Sequence, residues 1–277
     1  MSYAFHKVYA DLVTPDGAIL VVYQTWLRLL TRFYGSAGAE IYAPDGRRRL
    51  LHGRTEPALL DPDAPLGPLH LDTAEGPLDL ELAAASGPFD PGPPSACPAL
   101  RWRVLALRTA ARARLPSGEV LEGTGYVDWV ALTRPTRTLG FHYLRWGRAH
   151  LPTRSLAFMA LDLAGGARWQ VGVEHAVGGD PSANGAGEIA LEGGSGLVRI
   201  GESEMSIEAL REIHRGSAFD PARVPNPFHR AVAWAYGGAT GERRWLAQAR
   251  VGAEEGLALH EHVGFGVRAD EVGGVGS

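Results

Sequence analysis

Glycine and proline interrupt this sequence so often that nearly every unbroken run has the length of a strand. There are 36 glycines and 19 prolines, and the segments between them mostly alternate rather than repeat at helical spacing. Phe5 to Val13 reads as a strand, ended by the turn Thr14-Pro15-Asp16-Gly17. Ala18 to Phe33 is apolar on both faces and is expected to lie centrally in a sheet. Glu40 to Ala43, Asp45-Gly46 and Arg47 to His52 form a hairpin. Residues 55–77 and 86–98 read as loops around a strand at Leu78–Ala84. Further strands are expected at 100–114, 119–131, 137–149, 153–163 and 168–177, joined by short turns. Such a succession is an antiparallel meander, closed into a barrel or folded into a sandwich.

Gly178 to Gly185 is the best candidate linker, which places the first domain at 1–180 and a smaller second β domain at 181–277. In that second part strands are expected near 187–192, 196–201, 229–237, 242–252 and 256–268. A short helix is expected from Ser206 to His214, on the spacing of Ile207, Leu210 and Ile213. Arg101-Trp102 and Arg244-Trp245 each precede a turn and then a further strand, a hint of internal duplication.

Net charge is −4, from 31 acidic and 27 basic residues, so no basic field points to nucleic acid. Cys97 is the only cysteine, which excludes an internal disulfide and a thiolate zinc site. The start lacks the form of a signal peptide, and the longest apolar stretch, Ala18 to Leu30, is too short to span a bilayer. A cytoplasmic location is the expectation.

The chemistry-bearing stretch is Gly123-Thr124-Gly125-Tyr126-Val127-Asp128-Trp129. In an extended chain Tyr126 and Asp128 share a face, and the two glycines leave room for another backbone or a ligand. A phenol beside a carboxylate, with Trp102, Trp129 and Trp146 nearby in sequence, is either a proton donor in an aromatic pocket or an ordinary buried polar pair. Trp146 and Arg148 share a strand face with His142, either to hold a ligand or to pack an arginine stem on an aromatic ring. Glu174 is placed toward a cavity alongside Gln170. His260 and His262 fall on one strand face, but the spacing supplies no third ligand, so no metal site is expected.

The motif Gly-x-Gly-Tyr-x-Asp (Gly123 to Asp128), with Trp102 one hairpin upstream, resembles the carotenoid 1,2-hydratase family of lipocalin-like proteins. His6-Lys7-Val8-Tyr9-Ala10-Asp11 and the closing Leu257 to Gly266 are similar to that family's two ends. The resemblance implies an all-β chain of two consecutive antiparallel lipocalin- or calycin-like β-barrels with at most a short helix. It implies an enzyme without cofactor that adds water to, or cyclises, a long apolar isoprenoid or polyene. Asp128 would be the proton donor, helped by Tyr126 and Trp102; from their own strand positions Trp146, Arg148, His142, Glu174 and Trp129 are the candidates to line the substrate. The partner implied is a small apolar ligand, and such a ligand also allows peripheral membrane contact. A non-catalytic binder or carrier of that ligand is the alternative. The family pattern has a histidine two residues before the tryptophan, where this chain has Leu100.

Overall fold

The structure is a computed structural model that describes residues 3–29, 32–54, 66–83, 89–177, 187–217 and 240–272. The described residues hold sixteen strands, two 3-10 turns and no α-helix. The chain divides into two compact units, Met1–Pro93 with Pro98–Arg134, and Pro94–Cys97 with Pro135–Ser277. The boundary therefore falls after Arg134 rather than near 180. The strands expected at 137–177 belong to the second unit, because the first of them pairs with the last described strand and the others follow it in the same sheet. The proposed linker at 178–185 and the strand at 229–237 lie outside the described residues.

The first unit contains β1 (Tyr3–Val13), β2 (Ile19–Leu29), β3 (Arg32–Tyr42), β4 (Arg48–Arg54), β5 (Leu69–Thr73), β6 (Gly76–Leu82), β7 (Leu100–Arg114) and β8 (Val120–Leu132). They form a closed antiparallel barrel in chain order, sealed by pairing of β1 with β8. One face of every strand feeds a single apolar cluster that includes Val8, Leu20, Trp26, Leu51, Leu71, Leu80, Ala113, Val127 and Trp129. Side chains of eight strands can converge only in the lumen, so this cluster fills the interior.

The second unit contains β9 (Phe141–His150), β10 (Arg154–Leu163), β11 (Arg168–Ala176), β12 (Ile189–Glu192), β13 (Ser195–Ile200), β14 (Ser203–Ser217), β15 (Thr240–Val251) and β16 (Glu254–Phe265). The first and last of these pair as β1 and β8 do, so the order runs β11-β10-β9-β16-β15-β14-β13-β12. Two eight-stranded meanders, each joined head to tail, account for the duplication hinted at by the two Arg-Trp dipeptides. Here too one face packs inward, with Phe158, Leu156, Ile200, Met205 and Ala247 among its members. Between β11 and β12 no backbone ladder runs among the described residues. Instead the Ile189 N–H donates to Gln170 Oε1 (2.8 Å), and Arg168 Nη2 donates to the Ile189 carbonyl (2.7 Å).

The segment expected as a helix, Ser206 to His214, lies inside β14. Its pairing with β15 slips between Ala209 and Arg211 and again between Glu212 and His214. Each bulge inserts an extra residue and resets the alternation. The apolar spacing then mimics a helical one, although Leu210 is exposed.

Candidate functional site

On β8, Val127 and Trp129 point into the lumen cluster, so Tyr126 and Asp128 point to the outer face of the barrel. Across the ladder with β7, Val104 is opposite Asp128 and Trp102 opposite Val130, which places Trp102 on that same face. The three side chains meet. Trp102 Nε1–H donates to Asp128 Oδ2 at 3.0 Å, and the Tyr126 hydroxyl donates to the same oxygen at 3.0 Å. An outer barrel wall ordinarily meets water, yet Asp128 is 3% exposed and Trp102 and Tyr126 are fully buried. The sequence had suggested a barrel cavity carrying these three groups. The register instead sets them on the opposite face from a lumen filled with apolar side chains.

The glycines before them serve close backbone approach. A Cβ at Gly123 would lie 2.1 Å from the Val13 carbonyl oxygen, and one at Gly125 would lie 2.9 Å from the Asp11 carbonyl oxygen. Both lie where β8 crosses β1.

The same face carries acids and phenols that sequence reasoning missed. Tyr9 stands opposite Asp128 and Asp11 opposite Tyr126 in the β1–β8 ladder, a checkerboard of phenol and carboxyl. Asp11 and Glu40 are fully buried, and Tyr9 and Tyr42 nearly so. The Tyr9 and Tyr126 rings are tilted to one another with centroids 6.4 Å apart. On β3 the Tyr42 hydroxyl donates to Glu40, which also pairs with Arg48 at 3.1 Å. The signal was legible: tyrosine and an acid two residues apart occurs at Tyr9/Asp11, Glu40/Tyr42 and Tyr126/Asp128.

The other predicted residues scatter. Trp129 belongs to the lumen cluster and meets the His6 ring at a centroid distance of 5.4 Å. His142 is exposed at the start of β9. Glu174 accepts from Arg154 Nη1 (2.8 Å) and from the Ser203 hydroxyl (2.7 Å), and Arg154 also bonds Glu254. Glu174 is thus a member of an ion-pair network at the end of β11. Trp146 and Arg148 are buried on β9, on the face away from Ala149 and the inner cluster, and belong to the second unit.

Inside the second unit, His260 Nε2 lies 2.8 Å from the Gly194 carbonyl oxygen. A carbonyl only accepts, so Nε2 carries the proton. Trp245 stacks on His260 at 5.1 Å and meets His262 edge-on at 4.9 Å, and the Arg243 guanidinium lies 4.9 Å from the indole centroid. Burial holds the His260 imidazole down to about 4. Burial, then the neighbouring His260, Arg145 and Arg243, hold His262 down to about 2. Both rings are therefore neutral at pH 7. No group of three or more His, Cys, Asp or Glu among the described residues is placed to hold a metal ion. No described helix is long and apolar enough to cross a membrane.

No family model and no curated protein sequence matches the chain. Solved structures do. A protein from Nitrosomonas europaea assigned as an AttH aligns with a TM-score of 0.60 at 12% identity, over 96% of this chain and 93% of that one. CghA aligns with a TM-score of 0.60 at 12% identity, over 95% and 88%. Kievitone hydratase from Nectria haematococca aligns with a TM-score of 0.55 at 11% identity, over 96% and 90%. These alignments run through both units, and the chain has the lipocalin-like fold of two antiparallel β-barrel units that these proteins share.

Proposed function

We propose that this chain is a cofactor-independent enzyme of the lyase or cyclase type that protonates a long apolar substrate, an isoprenoid or polyene, from Asp128. The observation that carries the reading is the buried Asp128 carboxyl, gripped at a single oxygen by Trp102 and Tyr126. In this reading Asp128 enters the reaction as the neutral acid. Transfer of that proton to one carbon of a double bond uses the π electrons for the new C–H bond and leaves a cation on the other carbon. The Trp102 indole, tethered beside the acid, presents a ring that can stabilise such a cation. Capture by water, with loss of a proton, completes a hydration, and capture by a second double bond begins a cyclisation. The likeness in fold to a protein named a hydratase agrees with the first course.

Leu100 favours a second reading. It is buried on β7 opposite Leu132, at the position where the family pattern has a histidine. A site so altered suits a binder or carrier of the same apolar ligand.

Mass spectrometry of apolar compounds that copurify with the protein names the ligand, and incubation with acyclic isoprenoids then tests for gain of water or a cyclised isomer. Asp128→Asn is expected to cut turnover about 100-fold or more, the usual weight of a positioned acid, while the copurifying ligand is retained. Unchanged turnover in that variant removes Asp128 from the mechanism. A retained ligand that the unaltered protein never converts establishes the carrier.

A further inference from the structure

We infer that Asp11 is a second functional carboxyl of this site, taking the proton that an adding water sheds and returning it to Asp128 through Tyr126. This rests on the reading of Asp128 as proton donor. Asp11 is fully buried on β1 and stands directly opposite Tyr126, while Asp128 lies two residues further along β8 on the same face. Directly opposed side chains have Cβ atoms about 4.5–5.5 Å apart, and diagonal ones about 7–8 Å. The phenol that donates to Asp128 thus sits across the ladder from one carboxyl and beside the other.

The surrounding groups narrow the choice. Opposite Asp11 in β2 is Val21, and opposite Tyr9 is Tyr23, neither of which brings charge. Beyond Val21, on β3, is Glu40, the third buried carboxyl of this face, and it is engaged by Arg48 and Tyr42. On β7, Val104 and Trp102 are the neighbours of Asp128. By register, Asp11 across the ladder and Asp128 along the strand are the acids that Tyr126 adjoins among the described residues of β1 and β8.

A hydration moves two protons, one onto the alkene and one off the adding water, and two carboxyls can divide that work. Asp128 gives its proton to the alkene and becomes a carboxylate. Water adds to the cation through oxygen, and the resulting oxonium loses a proton to the Asp11 carboxylate. Tyr126 then passes its hydroxyl proton to Asp128 and receives one from Asp11, which restores the starting state. Alkene and water are consumed, alcohol is formed, and no redox partner takes part. Two carboxyls this close in a buried setting do not ionise independently, because charge on one disfavours charge on the other.

The test is a carbon-13 NMR titration of the full-length protein labelled at aspartate carboxyl carbons, with signals assigned by Asp11→Asn and Asp128→Asn. Coupling predicts that Asp11→Asn lowers the Asp128 midpoint by about one pH unit or more. Tyr126→Phe, which keeps the ring, should move both midpoints, and it decides the matter if Asp11→Asn fails to fold. An Asp128 midpoint unmoved in Asp11→Asn, or a Tyr126→Phe effect confined to Asp128, overturns the inference. A structural Asp11 would move that midpoint through its charge alone, so turnover separates the two roles: the relay predicts that Asp11→Asn slows hydration about 100-fold or more, and unchanged turnover overturns it. Independent titrations with turnover abolished in Asp128→Asn sink Asp11 alone. Coupled titrations with turnover intact in Asp128→Asn sink the proton-donor reading instead.

Discussion

Asp128 and Trp129 are adjacent in sequence and face opposite sides of β8, one toward the buried outer wall and the other into the barrel. The two-residue period that puts Tyr126 with Asp128 also forbids Trp129 from joining them. Treating all three nearby tryptophans as one aromatic pocket ignored that parity, and the indole bonded to the acid is that of Trp102. Trp129→Ala should accordingly act as a core truncation, costing about 3–5 kcal/mol of stability. Denaturant unfolding measures the loss, and a variant of unchanged stability would place the indole outside the packed lumen. The Tyr126/Asp128 pair was legible because both residues lie on one strand. The Trp102 bond was foreseen only through family likeness, since nothing local to residue 102 records a partner on the next strand. Asp11 and Glu40 repeat the same spacing, but Asp11 entered only as part of an amino-terminal likeness and Glu40 only as the start of a hairpin, so neither was given a role.

Strands were legible wherever alternation ran unbroken. The expected segment at 100–114 matches β7 to the residue, and those at 153–163 and 168–177 match β10 and β11 within one. β5 was lost in a stretch read as loop, because Leu69, Leu71 and the intervening His70 give too short a pattern among prolines. β14 was misread as helix because two bulges break its alternation. Where β8 crosses β1, the fit tolerates no added carbon. Gly123→Ala would drive a Cβ against the Val13 carbonyl, and a loss of about 3 kcal/mol, the upper end of overpacking costs, is expected in denaturant unfolding. A wild-type midpoint would show that β1 moves aside without cost.

β16 supplies a pH dependence. His260 and His262 have folded values of about 4 and about 2 against an ordinary 6.5, so the unfolded chain takes up their protons first as pH falls. Stability is therefore highest above pH 6.5 and declines below it, approaching about 1.4 kcal/mol per pH unit for each imidazole. His6, held down by burial and by Arg28, adds in the same direction. Glu212, lowered to about 2 by its bonds to Arg215 and Arg243, gives up its contribution only below its ordinary 4.5, so the interval from pH 6.5 to 5 isolates the histidines. Unfolding curves across that interval should steepen the loss in the wild type and flatten it in His262→Gln. An equal slope in both would show that His262 takes up no fewer protons folded than unfolded.

At the scale of the whole chain, the sequence disclosed two β units but misplaced the division between them. A glycine-rich stretch at 178–185 resembled a linker more than Arg134-Pro135 did, yet pairing of β9 with β16 commits everything from Phe141 onward to the second ring. A boundary set by which strands pair over long separation leaves little trace in local composition. Hydrogen exchange tests the division directly. Gly123→Ala should raise exchange in strands of the first ring, β1, β7 and β8 foremost, and leave β9 to β16 near wild type. Uniform acceleration through both rings would show that they open as one body.

The two rings are fastened differently, and this bears on how each can change girth. Widening the first means unzipping a backbone ladder such as β1–β8, with every bond in register given up together. In the second, the described bonds from β11 to β12 are those of Gln170 and Arg168 to Ile189, a clasp of two side chains. Exchanging either residue alters the clasp while every ladder stays in register, so the circumference of that ring is open to adjustment one side chain at a time.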